Sequence, residues 1–146
     1  MGAAGFRRLF PALALLGSCT SVQLGPQSLA GTEWRVTEID SRPTPGGPDF
    51  AMQFQATQWH GGFGCNGMSA EYRLAGNVLT IGRTDGQQFV PGRIIATERD
   101  CSSTPTGPFE GDAIAILVKP MTVRFSSAHR MTLANDAGSI KLELRR

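Results

Sequence analysis

Cysteine and histidine are the residues of this sequence with the most specific chemistry, and it has three of the first and two of the second. A reactive thiol needs a base beside it. His60 precedes Cys65 closely, but no Cys-His-Asn signature surrounds the pair. The residues available to a zinc site are Cys65, Cys101, His60 and His129. They lack the paired ligands at short spacing that structural zinc sites use. The spacing therefore predicts no catalytic residue and no metal ligand, although a reactive thiol remains the weaker alternative to a disulfide.

The glycine-rich segment around Cys65 is the second candidate for chemistry. Residues 62–67 match the pattern G-x-G-x-x-G, which in dinucleotide-binding proteins follows a strand and begins a helix that holds the pyrophosphate. Here residues 69–74 alternate between polar and apolar types as a strand does, so no nucleotide cofactor is predicted. We predict instead a structural turn in a bulged hairpin, with glycines at positive φ and the asparagine bonding nearby backbone. Its residues are Gly62, Gly64, Asn66 and Gly67.

The N-terminal segment indicates where the protein is sent. Arg7 and Arg8 precede a short apolar run at residues 9–16, the order found in secretory signal peptides. This run is far shorter than the roughly 20 apolar residues of a membrane span. Residues 16–19, Leu-Gly-Ser-Cys, resemble the lipobox of bacterial lipoprotein signal peptides. The resemblance implies cleavage before Cys19 and attachment of acyl chains, such as palmitate, to that residue.

The predicted domain organisation follows from this leader. Residues 1–18 are a lipoprotein signal peptide, residues 19–28 an acylated tether, and residues 29–146 a folded domain. Thr20 is not the aspartate typical of inner-membrane retention, which favours an outer-membrane anchor with the domain facing the periplasm. With Cys19 lipidated, Cys65 and Cys101 remain as an even pair in an oxidising compartment, where a disulfide is favoured. It would hold the glycine turn against the strand that leads into the helix.

Charge excludes one class of partner. The chain has 14 basic and 12 acidic residues, and two of the basic ones, Arg7 and Arg8, lie in the predicted leader. The mature domain is therefore balanced and contains no basic run, which argues against nucleic acid as a partner. No pair of carboxylates is placed for acid–base catalysis by any sequence argument, and we predict that the protein is not an enzyme.

Apolar alternation with period two dominates from residue 29 onward and predicts half-buried strands. Phe50, Met52 and Phe54 show it most clearly. Residues 108–119 break this pattern, because they have proline and acidic residues at one end and Pro120 at the other, and they predict a helix. About eight short strands with one late helix indicate a mainly β fold. We expect a small antiparallel β-barrel or rolled sheet with the helix packed on it.

Three segments carry a resemblance to a known family. Residues 29–34 (LAGTEW), 61–67 (GGFGCNG) and 97–101 (TERDC) resemble the marker segments of the META/HslJ domain. The resemblance spans about residues 29–144, and the charged residues 98–100 depart from the apolar ones often found before the second cysteine. It implies a small β-rich envelope domain, often lipid-anchored and linked to heat shock or envelope stress. It implies no established catalytic residues.

Together these observations predict a non-enzymatic, lipid-anchored envelope protein of the META/HslJ type. It would serve envelope maintenance or stress tolerance, such as heat shock or antibiotic resistance, by binding an unidentified protein or small molecule. The alternatives are a lipocalin-like ligand binder and a protease-inhibitor-like barrel. A ligand cavity would be lined by aromatic residues that are more often simply core. These are Trp34, Phe50, Phe54, Trp59, Phe63 and Tyr72.

Overall fold

The computed structural model describes Met1 and residues 28–145. The predicted signal peptide, Cys19 and nearly all of the predicted tether lie outside the described residues. The elements follow in the order β1 (Thr32–Ile39), β2 (Arg42–Pro43), β3 (Phe50–Phe54), β4 (Gln58–Phe63), β5 (Gly67–Ala75), β6 (Val78–Asp85), β7 (Gln88–Pro91), β8 (Ile95–Ala96), α1 (Gly107–Leu117), β9 (Met121–Ser127), β10 (Arg130–Asn135) and β11 (Gly138–Leu144). Within the described range, no helix has the length and apolar character needed to cross a membrane.

Eight of the strands form a closed antiparallel ring in the order β6–β9–β10–β11–β1–β3–β4–β5, and β5 pairs with β6 to complete it. The short strands β7, β8 and β2 extend from β6, β5 and β1. The junction of β6 with β9 is brief, with the pairs Val78↔Thr122 and Leu79↔Met121. The predicted mainly β fold, with about eight antiparallel strands rolled into a barrel-like shape and one helix, is confirmed.

Apolar side chains fill the inside of the ring. On β3, Phe50, Met52 and Phe54 are buried while Gln53 between them is exposed, because successive side chains of a strand point to opposite faces. Phe54 packs edge to face against the half-buried Tyr72, with ring centroids 5.1 Å apart. The other predicted aromatic residues are buried core: Trp34, Phe50, Phe54, Trp59 and Phe63. The structure therefore uses these side chains for packing, which contributes stability beyond the area they bury.

Helix α1 covers one end of the ring. It spans Gly107–Leu117, so it begins one residue before the predicted helix and ends two residues earlier. Ala113, Ile116 and Leu117 are fully buried on its inner side. The Nδ2 atom of Asn135 donates a hydrogen bond of 2.8 Å to the carbonyl oxygen of Ile116. The same carbonyl accepts a longer bond from the backbone N–H of Lys119 at 3.3 Å, so Asn135 adds a second donor at the helix C-terminus and attaches the helix to β10.

Candidate functional site

The glycine turn, residues 62–67, joins β4 to β5 and carries Cys65 near its centre. The two strands pair without a register shift up to Gly62↔Gly67, so the bulge that we expected in this hairpin is absent. Cys65 lies at disulfide-bonding distance from Cys101, and their Cα atoms are 6.3 Å apart, within the usual range for a disulfide. The pair joins the turn to the segment that precedes α1, which is the connection predicted from the cysteine count.

The glycines of the turn have different structural roles. Gly64 has a φ of +107°, and a Cβ atom there would lie 2.6 Å from Cβ of Thr106 and 2.7 Å from Cζ of Phe50. Both the backbone conformation and the filled space therefore require glycine at this position. Gly62 has no positive φ, but its missing side chain lets the backbone of the turn approach closely. At Gly67 a Cβ atom would meet nothing within 4 Å.

Asn66 is the buried polar residue at the centre of the site, with 7% of its surface exposed. Its Oδ1 atom accepts hydrogen bonds from the hydroxyl of Thr97 (2.8 Å) and the backbone N–H of Arg99 (2.9 Å). Its Nδ2 atom donates to the carboxylate of Glu110 (2.7 Å) and to the carbonyl of Arg99 (3.2 Å). The backbone N–H of Asn66 donates to the second oxygen of Glu110 at 2.7 Å. The expectation that Asn66 bonds nearby backbone is therefore wrong, because these partners lie far along the chain.

The start of α1 supplies two of the contacts that hold the turn. Glu110 lies in the first turn of the helix, where a carboxylate is favoured by the helix dipole, and it bridges two donors of Asn66. Thr106 occupies the N-cap position but makes no side-chain cap bond. Its hydroxyl instead donates to the carbonyl oxygen of Gly64 at 2.8 Å. The helix start and the glycine turn are thus bound directly to each other as well as through the cysteines.

Residues 95–106 form a segment, called the strap here, that follows β7 in the chain, leads to α1 and pairs with the edge of β5. Its first residues, β8, pair with β5 through Ser69↔Ile95 and Met68↔Ala96. The backbone N–H of Thr97 then donates to the carbonyl of Gly67 at 3.0 Å. Ten of its twelve residues are exposed, and Cys101 is the buried one. The strap is consequently held by hydrogen bonds and the cysteine pair rather than by apolar packing.

The charged residues of the strap lie at the surface, and one of them makes short-range hydrogen bonds. The charged residues 98–100, which depart from the family pattern, are all exposed. The Asp100 carboxylate accepts hydrogen bonds from the hydroxyl of Ser102 at 2.7 Å and from its backbone N–H at 3.0 Å. The hydroxyl bond first, and the backbone bond second, lower the pKa of Asp100 below its ordinary value. Asp100 is thus favoured as an anion at the surface.

The two histidines lie apart from each other. His60 points outward from β4 and borders a surface depression of about 290 Å³ together with Cys65 and Asn66. His129 borders a different depression, beside Arg130. Within residues 28–145 and Met1, no group of three or more His, Cys, Asp or Glu side chains is arranged to hold a metal ion. Among the described residues the structure does not bring together the four residues considered for zinc, and Cys65, which borders the same depression as His60, is paired with Cys101.

The roles of three residues of this site were not predicted from the sequence: Thr97, Thr106 and Glu110. Glu110 was interpreted as an acidic residue in the first turn of a helix, a position that many helices fill for local electrostatic reasons, and the family resemblance implied a glutamate-containing helix there without giving the glutamate a role. Thr97 begins the marker segment 97–101, but no local pattern indicates a hydrogen-bonding role for its hydroxyl or for that of Thr106. The one available indication was the turn asparagine itself, since a buried amide requires several partners.

Comparison with known proteins places the chain in a family. The family model described as "META domain" matches residues 27–145. The chain belongs to the META domain family. No curated protein matches the sequence significantly.

Two solved structures share the fold of this META domain protein. One, titled "NMR structure of the protein from Burkholderia xenovorans", superposes with a TM-score of 0.57 at 19% identity, covering 87% of this chain and 96% of that one. Another, titled "NMR structure of the protein", has the same TM-score and identity and covers 77% of this chain and 88% of that one. At this identity the likeness concerns the fold alone.

Proposed function

We propose that this META domain protein is a non-enzymatic, lipid-anchored protein of the bacterial outer membrane, and that its domain acts in the periplasm by binding. The observation that carries the proposal is the Leu-Gly-Ser-Cys sequence ending at Cys19, directly after a short apolar run. The cysteine pair supports it, because Cys65 and Cys101 at disulfide-bonding distance suit an oxidising compartment.

The candidate site supports a binding role over a catalytic one. Its polar groups are occupied with one another: both oxygens of Glu110 accept from Asn66, and the hydroxyl of Thr97 is bonded to the same residue. Polar side chains that are hydrogen-bonded to one another stabilise the local structure rather than activate a substrate. The filled interior of the ring counts against the alternative of a lipocalin-like binder, which needs an open apolar cavity.

The anchor is tested by the substitution Cys19→Ser. The expected result is release of the protein from the membrane fraction, because serine offers no thiol for acylation. Intact mass of the wild-type protein extracted from membranes should show loss of residues 1–18 and a gain of acyl chains. The matched control is Ser18→Ala, which keeps a small residue before the cleavage site and should leave the protein in the membrane. Membrane attachment of the Cys19→Ser variant would contradict the proposal.

A role in stress tolerance is tested in living cells. A strain that lacks the protein is expected to grow less well at raised temperature or with an envelope-directed antibiotic. Expression of the wild-type chain should restore growth, and expression of the Cys19→Ser variant should restore it less. Equal growth of the strain with and without the gene under all of these conditions would argue against the stress role, while leaving the anchor untouched.

A further inference from the structure

We propose that the strap covers a binding site for an extended peptide along the edge of β5, and that the Cys65–Cys101 disulfide controls access to it. The inference deepens the binding role proposed above, since it names the chemical class of the partner. Its test uses purified protein in solution, so it succeeds or fails independently of the membrane anchor.

The edge of β5 is the surface concerned. The first part of β5 pairs with β4 on one side, and on its other side it meets the strap through Ser69↔Ile95 and Met68↔Ala96. The remainder of β5, from Glu71 onward, pairs with β6. Removal of the strap would therefore expose only a short row of backbone donors and acceptors, flanked by strands that stay in place. A short open edge of this kind is what strand-addition sites present to a peptide.

The strap itself shows which peptide chemistry fits this edge. It lies antiparallel to β5, with β-branched Ile95 followed by the small Ala96. Next comes Thr97, whose hydroxyl donates to Oδ1 of Asn66 and accepts from the N–H of Gly67 at 3.2 Å. The side chain of Ile95 is exposed, so at that position the edge pairs with backbone rather than with the side chain. We infer that the partner is an extended segment that carries a threonine at the position of Thr97. The buried amide of Asn66 is the group that selects the hydroxyl.

The strap has the physical properties of a releasable cover. Ten of its twelve residues are exposed, and its ends are attached to packed elements, at the half-buried Ile94 before it and at α1 after it. The ring, by contrast, has a continuous apolar core to which no strap residue other than Cys101 contributes buried surface. Segments with few apolar contacts open at lower free energy than the core does. Loss of the cysteine bond leaves the strap held by its hydrogen bonds to Asn66 and to β5, and it should therefore lower the free energy of strap opening while the ring stays folded.

Reduction can begin at Cys65. This residue borders the depression of about 290 Å³, whereas Cys101 is 7% exposed, so an incoming thiolate reaches the Cys65 sulfur more readily. A dithiol reductant attacks Sγ of Cys65, a bond from its sulfur to Cys65 forms, the bond to Cys101 breaks, and Cys101 leaves as a thiolate that takes a proton from water. The second thiolate of the reductant then displaces Cys65, so the reductant becomes a disulfide and the protein gains two electrons. The N–H donor Nδ2 of Asn66 lies 3.8 Å from the sulfur of Cys101, within reach of the leaving thiolate.

The test compares oxidised protein with protein reduced by dithiothreitol. Hydrogen exchange measured by mass spectrometry should become about tenfold faster or more in residues 95–106 after reduction, with β1, β10 and β11 unchanged. A fluorescent peptide with the sequence of residues 93–100 should bind the reduced protein about tenfold more tightly than the oxidised protein, because its site is then uncovered. A scrambled peptide is the control for composition, and the same peptide carrying Thr97→Val tests recognition by Asn66 and should bind more weakly.

A double variant, Cys65→Ser with Cys101→Ser, separates strap release from side effects of the reductant. It should show the fast strap exchange and the peptide binding without any reductant. Four outcomes would overturn the proposal: unchanged exchange of the strap, loss of protection throughout the ring, equal peptide affinity in both redox states, or dimerisation after reduction. The last of these would assign the edge to the strap of a second copy instead.

Discussion

Replacement of Asn66 by alanine is expected to lower the free energy of unfolding by about 3 kcal/mol or more. The substitution removes four side-chain hydrogen bonds with oxygen and nitrogen atoms, one to the carboxylate of Glu110 and one from the hydroxyl of Thr97. Each of these two groups keeps one weaker attachment, because the backbone N–H of residue 66 still donates to Glu110 and that of Gly67 still donates to Thr97. Loss of a buried hydrogen-bond donor costs more free energy when the acceptor is charged than when it is neutral. The measurement is equilibrium denaturation followed by the fluorescence of the buried Trp34 and Trp59.

The matched control for this experiment is Asn77→Ala. Asn77 is exposed at the turn between β5 and β6, and its substitution should change the free energy of unfolding by less than about 0.5 kcal/mol. A second variant, Asn66→Asp, keeps the shape but places a carboxylate against Glu110. Like charges raise the pKa of a carboxyl group in the folded protein, so this variant should regain stability as the pH falls and one of the two becomes protonated. Equal losses at positions 66 and 77 would contradict a central role for Asn66.

The substitution Gly64→Ala is expected to destabilise the protein by about 3 kcal/mol, because it combines backbone strain with a steric clash. The φ of +107° is one that L side chains rarely adopt. The added Cβ would also lie less than 3 Å from side-chain atoms of Thr106 and Phe50, which cannot both move without disturbing the start of α1 and the core. Thermal unfolding monitored by circular dichroism should show a clear decrease in Tm relative to wild type.

Gly67→Ala is the control within the same turn. It adds the same methyl group where nothing lies within 4 Å and where φ is not positive, so the expected change is within about 0.5 kcal/mol of zero. The contrast between the two positions isolates the structural requirement from the general effect of removing a glycine. Similar losses at Gly64 and Gly67 would mean that the turn is sensitive for a reason other than this geometry.

Much of the fold could be predicted because its signals are local. Alternation on β3, with Phe50, Met52 and Phe54 inward, arises from the pleat of a strand and needs no knowledge of the neighbours. The helix was predicted within two residues at each end, since Pro120 and the acidic first turn act within the helix itself. Closure of the ring was harder to predict from the sequence, because pairs such as Val78↔Thr122 join residues that no local pattern connects.

In the candidate site, too, some features could be predicted from the sequence and others could not. Pairing of Cys65 with Cys101 followed from counting, since the predicted lipidation of Cys19 left these two as the even pair. The role of Asn66 could not be predicted, because its partners Thr97 and Glu110 lie 31 and 44 positions away. The sequence also suggested a bulge in the hairpin and positive φ at several glycines, whereas the structure has a regular ladder with Gly64 as the turn glycine at positive φ.

The sequence by itself determined the class of the domain, its strand and helix segments, and the two cysteines that join the turn to the segment before α1. These depend on composition, short-range periodicity and residue counting. All three are properties of the sequence that do not depend on how distant segments are arranged in space. Only the tertiary structure decided that the turn asparagine holds the strap and the helix start together. A buried amide takes whichever donors and acceptors folding brings to it, and those are set by contacts between distant segments rather than by neighbours in the chain.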